Sequence, residues 1–197
     1  MSLVIIAGMP ASGKTTVAKE LGCKLGFPII EKDHIKEELF DTIGFKNYPE
    51  KQQMDVAATA VLLRVADDIL SSGHSLMMVN NFRNDAKEAL QQLIDRRKLK
   101  CVLVFFDGNP DVFYQRYVDR DNKHLRHLGH VLQDYFPPRP GDSIEYTMSR
   151  EEFARKFESL GMTSLDITAT KIVVDATYPD KIDVDDLYNA IKGALDS

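Results

Sequence analysis

Gly8-Met9-Pro10-Ala11-Ser12-Gly13-Lys14-Thr15 fits the pattern G-x-x-x-x-G-K-[ST]. An apolar run, Leu3 to Ala7, precedes this stretch, and apolar residues at helical spacing, Thr15 to Leu25, follow it. Glycines let a backbone wrap around an anion, and the loop amides and the helix N-terminus then point at that anion. The stretch therefore predicts a phosphate-binding loop between a strand and a helix, with an ordinary glycine-rich turn as the alternative.

The residue types of this loop indicate which group binds where. The lysine would contact the β- and γ-phosphates of a nucleotide, and the threonine hydroxyl would bind Mg²⁺. ATP and Mg²⁺ are accordingly the predicted cofactors, with Lys14 as a catalytic residue and Thr15 as the metal ligand. The predicted nucleotide-binding residues of the loop are Gly8, Met9, Pro10, Ala11, Ser12, Gly13, Lys14, Thr15 and Thr16.

Apolar runs recur along the chain and alternate with helical patterns. The further predicted strands are Ile29–Ile30, Leu76–Val79, Cys101–Phe106 and Lys171–Asp175. Continuously apolar strands that alternate with helices indicate a parallel sheet covered on both faces. Ligands bind beyond the carboxyl ends of such strands, so functional residues are expected just after each run.

Composition limits the class of protein. A chain of 197 residues with 44% hydrophobic and 28% charged residues is typical of one globular domain and excludes a disordered or collagen-like chain. The net charge of −5 argues against non-specific binding to nucleic acid. The sequence has two cysteines without metal spacing, no apolar run of membrane-spanning length and no basic leader. These features predict a cytoplasmic protein with reduced thiols.

With this loop and this order of elements, the chain resembles the P-loop kinases of small molecules. That group includes shikimate, gluconate, adenylate and chloramphenicol kinases and the zeta-toxin-like kinases. The resemblance covers nearly the whole chain, and the phosphate loop is its specific motif. It implies a P-loop NTPase fold with three layers, α/β/α, and a five-stranded parallel sheet of order 2-3-1-4-5. Residues 1–197 would form a single domain with an acceptor-binding helical segment at about 34–73 and a mobile lid at about 122–149, named the lid segment below.

The resemblance also implies roles for residues that follow the second and third strands. Asp33 matches an aspartate that faces the acceptor hydroxyl in several relatives, where a carboxylate would accept or orient its proton. Capping of the following helix is the alternative role for Asp33. Arg83 matches the end of the Asp-Gly-Phe-Pro-Arg motif of nucleoside monophosphate kinases and would bind the acceptor. Asn80 stands where many relatives have a Mg²⁺-ordering aspartate, which leaves that support to Asp33.

Further candidates come from the second half of the chain. Arg116 and Arg120 match an R-x-x-x-R on the helix before the lid and would neutralise the transferring phosphoryl group, with a surface ion-paired couple as the alternative. Arg126 in the lid segment would bind substrate, and Tyr178 or Pro179 would flank the adenine, with a connecting turn as the alternative. The lid segment also holds His124, His127 and His130; substrate contacts, metal binding and a solvated surface remain open for them.

These expectations indicate an ATP-dependent small-molecule kinase that moves the γ-phosphoryl group of ATP to an acceptor hydroxyl. Three alternatives remain: a nucleic-acid end kinase, a nucleotide-gated regulatory ATPase and a nucleoside monophosphate kinase. The partners would be a nucleotide and a small-molecule acceptor. Acceptor identity depends on the shape of a cavity that the sequence does not specify, and the sequence also leaves the oligomeric state open.

Overall fold

The structure, a computed structural model, describes residues 1–123, 125–142 and 148–196. Five strands form one parallel sheet in the order β2-β3-β1-β4-β5. Their bounds are Ser2–Gly8 for β1, Ile29–Glu31 for β2, Leu76–Val79 for β3, Lys100–Asp107 for β4 and Thr170–Asp175 for β5. The predicted α/β class, the five parallel strands and the strand order are confirmed.

β1 lies at the centre of the sheet and carries the core on both of its faces. Val4 and Ile6 pack into a cluster on one face, and Leu3 and Ile5 pack into a second cluster on the other. All four side chains are fully buried, which contributes about 1.5–3 kcal/mol for each. A central, doubly covered strand holds the loop that follows it in a fixed position.

Helices cover both faces of the sheet, as the alternating pattern predicts. Their bounds are Lys14–Leu25 for α1, Lys32–Ile43 for α2, Tyr48–Ser71 for α3, Asn84–Arg97 for α4, Pro110–Asn122 for α5, Leu128–Val131 for α6, Arg150–Ser159 for α7 and Val184–Asp196 for α8, with a 3₁₀ turn at Pro179–Lys181. Residues of α1, α5, α7 and α8 fill the first cluster, and residues of α3 and α4 fill the second. Ser149 and Glu152 form a capping box at the start of α7.

Two local features differ from the sequence prediction. α2 begins at Lys32, two residues before the predicted start, because the chain enters the helix directly from β2 with Glu31 as the N-cap residue. The lid segment, predicted to be irregular, contains the one-turn helix α6, in which Gly129 packs directly against the ring of Phe40. A Cβ at Gly129 would overlap that ring, so only glycine allows so close an approach.

A third, smaller hydrophobic cluster joins the lid segment to the predicted acceptor segment. Phe40, Phe45 and Met54 are its buried members, and Phe136 packs against them. Phe45 and Phe136 also exchange two backbone hydrogen bonds of 3.0 and 2.8 Å. The described part of the lid segment is therefore fixed to α2 and to the loop that follows it. No helix among the described residues has the length and apolar character needed to cross a membrane.

Candidate active site

The predicted phosphate loop has a backbone suited to surround an anion. Gly8, Ala11 and Gly13 all have positive φ angles, of 132°, 62° and 85°. Alternation of left-handed and right-handed residues turns successive amides toward one point, which creates an anion-binding concavity. A Cβ at Gly8 would overlap the carbonyl oxygen of Phe106 in β4. The loop thus depends on glycine for its φ angles and for its close approach to the neighbouring strand.

The Lys14 ammonium group lies inside this loop. Its Nζ donates hydrogen bonds to the carbonyl oxygen of Met9, at 2.6 Å, and to Oγ of Ser12, at 3.2 Å. Burial lowers the pKa of Lys14 to about 7, and the positive charges of Arg120 and Arg126 act in the same direction. A bound polyphosphate would supply the negative charge that this ammonium group needs, so the loop fits the phosphates of a nucleotide.

Beyond the carboxyl ends of the strands, the cleft divides into two adjoining cavities. The first, named here the donor cavity, is lined by the phosphate loop and also by Glu31, Val79, Asn80, Arg116 and Arg120. The second, named the acceptor cavity, is lined by side chains of α2, α3, α7 and the lid segment. Four residues line both cavities: Pro10, Asp33, Asn81 and Arg126. These four residues mark the boundary between the two cavities.

Asp33 is the only carboxylate on that boundary among the described residues. It occupies the first turn of α2 and is not the N-cap residue, which is Glu31; the capping alternative for Asp33 is therefore wrong. Burial works against its ionisation, but His130, Arg126 and Lys32 together lower the pKa of Asp33 to about 2. The carboxylate is consequently ionised at neutral pH and faces a cleft rich in positive charge.

The two arginines of the predicted R-x-x-x-R pair have different partners. Arg116 donates hydrogen bonds to the carbonyl oxygens of Ala176, at 3.0 Å, and Thr177, at 2.6 Å. Arg120 lies 3.5 Å from Asp121, and its buried Nε and Nη2 have no partner in hydrogen-bonding geometry within the described part of the chain. Both arginines line the donor cavity. Arg116 thus stabilises the loop after β5, whereas Arg120 retains donors for an anion.

Asp121 is a member of the site that the sequence analysis did not identify. Its side chain is fully buried, 3.5 Å from Arg120 and 3.8 Å from Arg126. Burial raises its pKa, against the lowering effect of both arginines. Arg126 also donates a hydrogen bond of 3.3 Å to Oη of Tyr117. No sequence pattern indicates Asp121, because its role depends on how the lid segment folds back over α5.

Arg83, the predicted acceptor-binding arginine, lines the acceptor cavity and is bound to carboxylates. Its Nη1 lies 3.1 Å from Asp55, and its Nη2 lies 3.3 Å from Asp85. Asp55, on α3, also accepts hydrogen bonds from Lys32, at 3.1 Å, and Lys36, at 2.6 Å. Burial opposes ionisation of Asp55, but the two lysines hold its pKa far below the usual range. The sequence analysis missed this cluster, whose members are spread over more than fifty residues.

Side-chain oxygens of the kind that Mg²⁺ binds line the donor cavity. They include the Thr15 hydroxyl and the carboxylates of Glu31 and Asp33. Mg²⁺ usually takes one or two carboxylates together with phosphate oxygens and water, so these residues fit the ion. Glu31 was not predicted, although its place at the end of β2 is a position where such ligands occur. Asn80 lines the same cavity, and its side-chain oxygen accepts a hydrogen bond of 2.8 Å from the amide of Asn81.

The lid-segment histidines are bound to α2. His127 lies 3.0 Å from Asp41, and His130 lies 3.1 Å from Glu37. Burial lowers the pKa of His130 to about 4, so it is neutral at pH 7. His124 lies outside the described residues, as do residues 143–147 of the lid segment. The part of the chain that the structure describes contains no cluster of three metal-ligating side chains.

Tyr178, predicted to flank the adenine, is 55% exposed and lines neither cavity. Lys181 lies over its ring at 4.5 Å from the centroid. The neighbouring Pro179 lies 3.7 Å from the position that a Cβ would take on Gly13. The loop after β5 therefore reaches the phosphate loop through Pro179.

Comparisons with known proteins agree with this geometry. A family model described as "AAA domain" matches residues 3–138. A cytidylate kinase of Pyrobaculum neutrophilum is 26% identical over 190 residues, covering 90% of this chain and 85% of the relative. A Chloroflexus aurantiacus protein to which kinase activity has been ascribed superposes with a TM-score of 0.72 at 26% identity, over 99% of this chain and 96% of that one.

More distant solved structures share the fold. Shikimate kinase from Aquifex aeolicus superposes with a TM-score of 0.52 at 16% identity, over 98% of this chain and 96% of that one. A Sinorhizobium meliloti gluconokinase superposes with a TM-score of 0.54 at 14% identity, over 98% of this chain and 91% of that one. The predicted resemblance to the P-loop kinases of small molecules is confirmed.

Proposed function

The chain belongs to the AAA domain family and is a small-molecule kinase, and from that premise we propose that it moves the γ-phosphoryl group of ATP to a hydroxyl group of a small acceptor. One observation carries this proposal. Asp33, an ionised carboxylate, lies on the boundary between the donor cavity and the acceptor cavity. The donor cavity contains the phosphate loop, and side chains of α2, α3, α7 and the lid segment line the acceptor cavity. A hydroxyl in the acceptor cavity would meet Asp33 before it meets the phosphates.

In the proposed reaction, the acceptor oxygen forms a bond to the γ-phosphorus, and the bond from that phosphorus to the bridging oxygen of ADP breaks. The hydroxyl proton passes to the Asp33 carboxylate or to solvent. A pKa of about 2 makes Asp33 a weak base, which favours orientation of the hydroxyl over early proton removal. In the loose transition state of phosphoryl transfer, orientation and charge neutralisation account for most of the rate.

The remaining residues of the donor cavity have distinct parts in this proposal. Lys14 and the loop amides would hold the β- and γ-phosphates, and Arg120 and Arg126 would neutralise the charge of the phosphoryl group in transit. Thr15, with Glu31 or Asp33, would hold Mg²⁺, which would supply positive charge that offsets the charge of the phosphates. Arg116, tied to the loop after β5, would act indirectly, by holding that loop against the nucleotide.

The test is to incubate the protein with γ-labelled ATP, Mg²⁺ and pooled metabolites, beside an Asp33→Asn variant. We expect a labelled small product that the variant forms about 10²- to 10⁴-fold more slowly while it binds ATP as well as the wild type. Label released only as inorganic phosphate, equally by both proteins, would contradict the proposal and favour a nucleotide-gated ATPase. A Glu38→Gln variant is the matched control, because Glu38 is an exposed carboxylate of the same helix.

A second candidate is a nucleoside monophosphate kinase, in which the acceptor is a phosphate group. The similarity to cytidylate kinases and the many cations of the acceptor cavity support this candidate. The missing Asp-Gly-Phe-Pro-Arg motif weakens it. Cytidylate and the other nucleoside monophosphates belong in the acceptor pool, and a labelled nucleoside diphosphate would decide for this candidate.

A further inference from the structure

The lining of the acceptor cavity carries far more positive than negative charge. Its basic side chains are Lys32, Lys36, Lys51, Arg83, Arg126 and Lys156, and its carboxylates are Asp33 and Asp55. The protein as a whole has a net charge of −5, so the cavity is positive against an acidic background. Lysines and arginines are seldom brought together in a partly buried space without anions to balance them.

The carboxylates present do not balance this charge. The single carboxylate of Asp55 forms ion pairs with three cations: Lys32, Lys36 and Arg83. Its own side chain is only 13% exposed, so water compensates little of the repulsion among the three. Asp85, whose side chain is half exposed, is a second carboxylate beside Arg83, so two negative charges oppose three positive charges and the lining of the cavity keeps an excess.

Two other donors that line the cavity have no hydrogen-bond partner among the described residues. The ammonium group of Lys156, on α7, forms no ion pair or hydrogen bond with any described residue; its Nζ lies 5.9 Å from the ring centroid of Phe157. Nε of Arg83, whose other guanidinium nitrogens pair with Asp55 and Asp85, is buried without a hydrogen-bond partner in the same part of the chain. These groups approach the cavity from α7 and from the loop after β3. The ammonium group of Lys156 is therefore available to a ligand.

The lowered pKa values of the cavity lysines indicate that the cavity lacks negative charge. Burial, with the repulsion of neighbouring cations, lowers the pKa of Lys51 to about 6 and also lowers the pKa of Lys36 and of Lys156. Lys51 donates to the carbonyl oxygens of His130 and Leu132, which fixes it to the lid segment. A bound anion would raise all three pKa values, since it would favour the charged ammonium forms.

We infer that the acceptor carries a multiply charged oxyanion, a phosphate ester or a polycarboxylate, and that Lys36, Arg83 and Lys156 bind it. The inference rests on the proposed function only in that the cavity is taken as the acceptor site; the binding of the anion stands independently of phosphoryl transfer. The anionic group would anchor the acceptor on the α7 side of the cavity, away from Asp33. The reacting group of the acceptor would then point toward Asp33 and the donor cavity.

Anion binding is tested without any turnover. The protein is first saturated with a non-hydrolysable ATP analogue and Mg²⁺, which fills the phosphate loop, and inorganic pyrophosphate is then titrated by calorimetry. We expect one pyrophosphate per chain and an affinity that Lys156→Met lowers by about 10-fold. Arg155→Met is the matched control: it removes the same charge from the adjacent, exposed position of α7 and should change the affinity by less than about 2-fold.

Absence of saturable pyrophosphate binding would overturn the inference, as would equal losses in Lys156→Met and Arg155→Met. A thermal unfolding scan of each variant establishes that the fold is retained. If Lys156→Met were unstable, Lys156→Gln, which keeps a polar side chain and removes the charge, would take its place with the same expected loss.

A transfer assay distinguishes a phosphate ester from a polycarboxylate as the acceptor. It also distinguishes failure of this inference from failure of the proposed function. Phosphate monoesters and hydroxy polycarboxylates are offered beside their neutral parent alcohols. Product from only one anionic class names the source. Product from neutral alcohols alone, unaffected by Lys156→Met, would overturn this inference and leave the proposed function intact. Pyrophosphate binding that depends on Lys156, with no transfer to any acceptor, would support this inference and contradict the proposed function.

Discussion

The phosphate loop of the donor cavity is one continuous stretch, residues 8–16, whereas the acceptor cavity collects its charged side chains from α2, α3, α7, the lid segment and the loop after β3. The donor cavity would bind its ligand chiefly through backbone amides, whose positions follow from β1 and the φ angles of the loop. The acceptor cavity would bind its ligand through side chains whose positions depend on the packing of distant elements. The ligand specificity of the donor cavity changes only if the backbone changes. Single substitutions of side chains can change the ligand that the acceptor cavity binds.

The largest expected effect is a difference in kcat between substitutions of the two arginines of α5. Arg120→Met should lower kcat by about 10³- to 10⁵-fold, because Arg120 lines the donor cavity and its Nε and Nη2 have no hydrogen-bond partner among the described residues. Arg116→Met should lower thermal stability and change kcat far less, since its guanidinium group holds two carbonyl oxygens. Steady-state kinetics on both variants is the measurement. Equal losses of kcat would show that the two arginines share one role.

The backbone character of the donor cavity is tested at Gly8. Gly8→Ala should lower the free energy of unfolding by about 4 kcal/mol, since it combines a strained φ with an overlap against Phe106, and it should also abolish ATP binding. Gly73 has a φ of 88° with no atom within 4 Å of the Cβ position, so Gly73→Ala isolates the strain and should cost about 1 kcal/mol. Urea denaturation measures both. A Gly8→Ala variant that bound ATP normally would contradict a backbone-built site.

The side-chain character of the acceptor cavity is tested at Asp55. Asp55→Asn should lower the free energy of unfolding by about 3 kcal/mol, because three cations lose their only shared carboxylate. ATP affinity should stay within about 2-fold of the wild type, since Asp55 lies outside the donor cavity. Asp68→Asn, on the same helix, removes an exposed partner of Arg64 and should cost less than about 0.5 kcal/mol. Loss of ATP binding in Asp55→Asn would show that the two cavities are not independent.

The smallest expected effect is a pH dependence of stability in the nucleotide-free protein. The pKa of Lys51 falls to about 6 on folding, from an ordinary value of 10.5. Between these values the unfolded chain binds more protons than the folded one, so stability rises with pH in this window. Lys51 should contribute about 2 kcal/mol between pH 7 and pH 9, and Lys14 should act in the same direction from its pKa of about 7.

The slope of stability against pH is the readout for Lys51. Lys51→Met should reduce the rise between pH 7 and pH 9 by about half, even though it also leaves the carbonyl oxygens of His130 and Leu132 without their donor. Lys46→Met, which changes an exposed lysine nearby, should leave the slope as it is. Identical slopes in all three proteins would mean that Lys51 is charged in the folded state.

The sequence was sufficient for the fold and for the donor cavity. Apolar runs placed all five strands, because a strand buried on both faces tolerates few polar residues. The motif placed Lys14 and the loop, since that function follows from consecutive residues. The position of Asp33 at the cleft was predicted because it follows directly from the end of β2, and the resemblance supplied the strand order and the role that is proposed for Asp33.

The acceptor cavity could not be predicted to the same extent. Lys51, Asp55 and Lys156 are charged residues of amphipathic helices, and in the sequence they are indistinguishable from residues of a solvated face. Asp121 is likewise one of several aspartates on α5 until the lid segment brings Arg126 beside it. Arg116 and Arg120 share one helical spacing, and only their hydrogen-bond partners separate them.

The order of the strands has a consequence for how the acceptor can vary. β3 lies between β1, which carries the phosphate loop, and β2, which leads into Asp33. Because neighbouring strands are spaced by about 4.8 Å, this intervening strand sets a separation of about 10 Å between the two backbones that flank the reaction. β3 is thus a fixed spacer whose width does not depend on any side chain of the cleft. The acceptor cavity can be reshaped by substitution on its helices while the distance between the two backbones that flank the cleft stays the same.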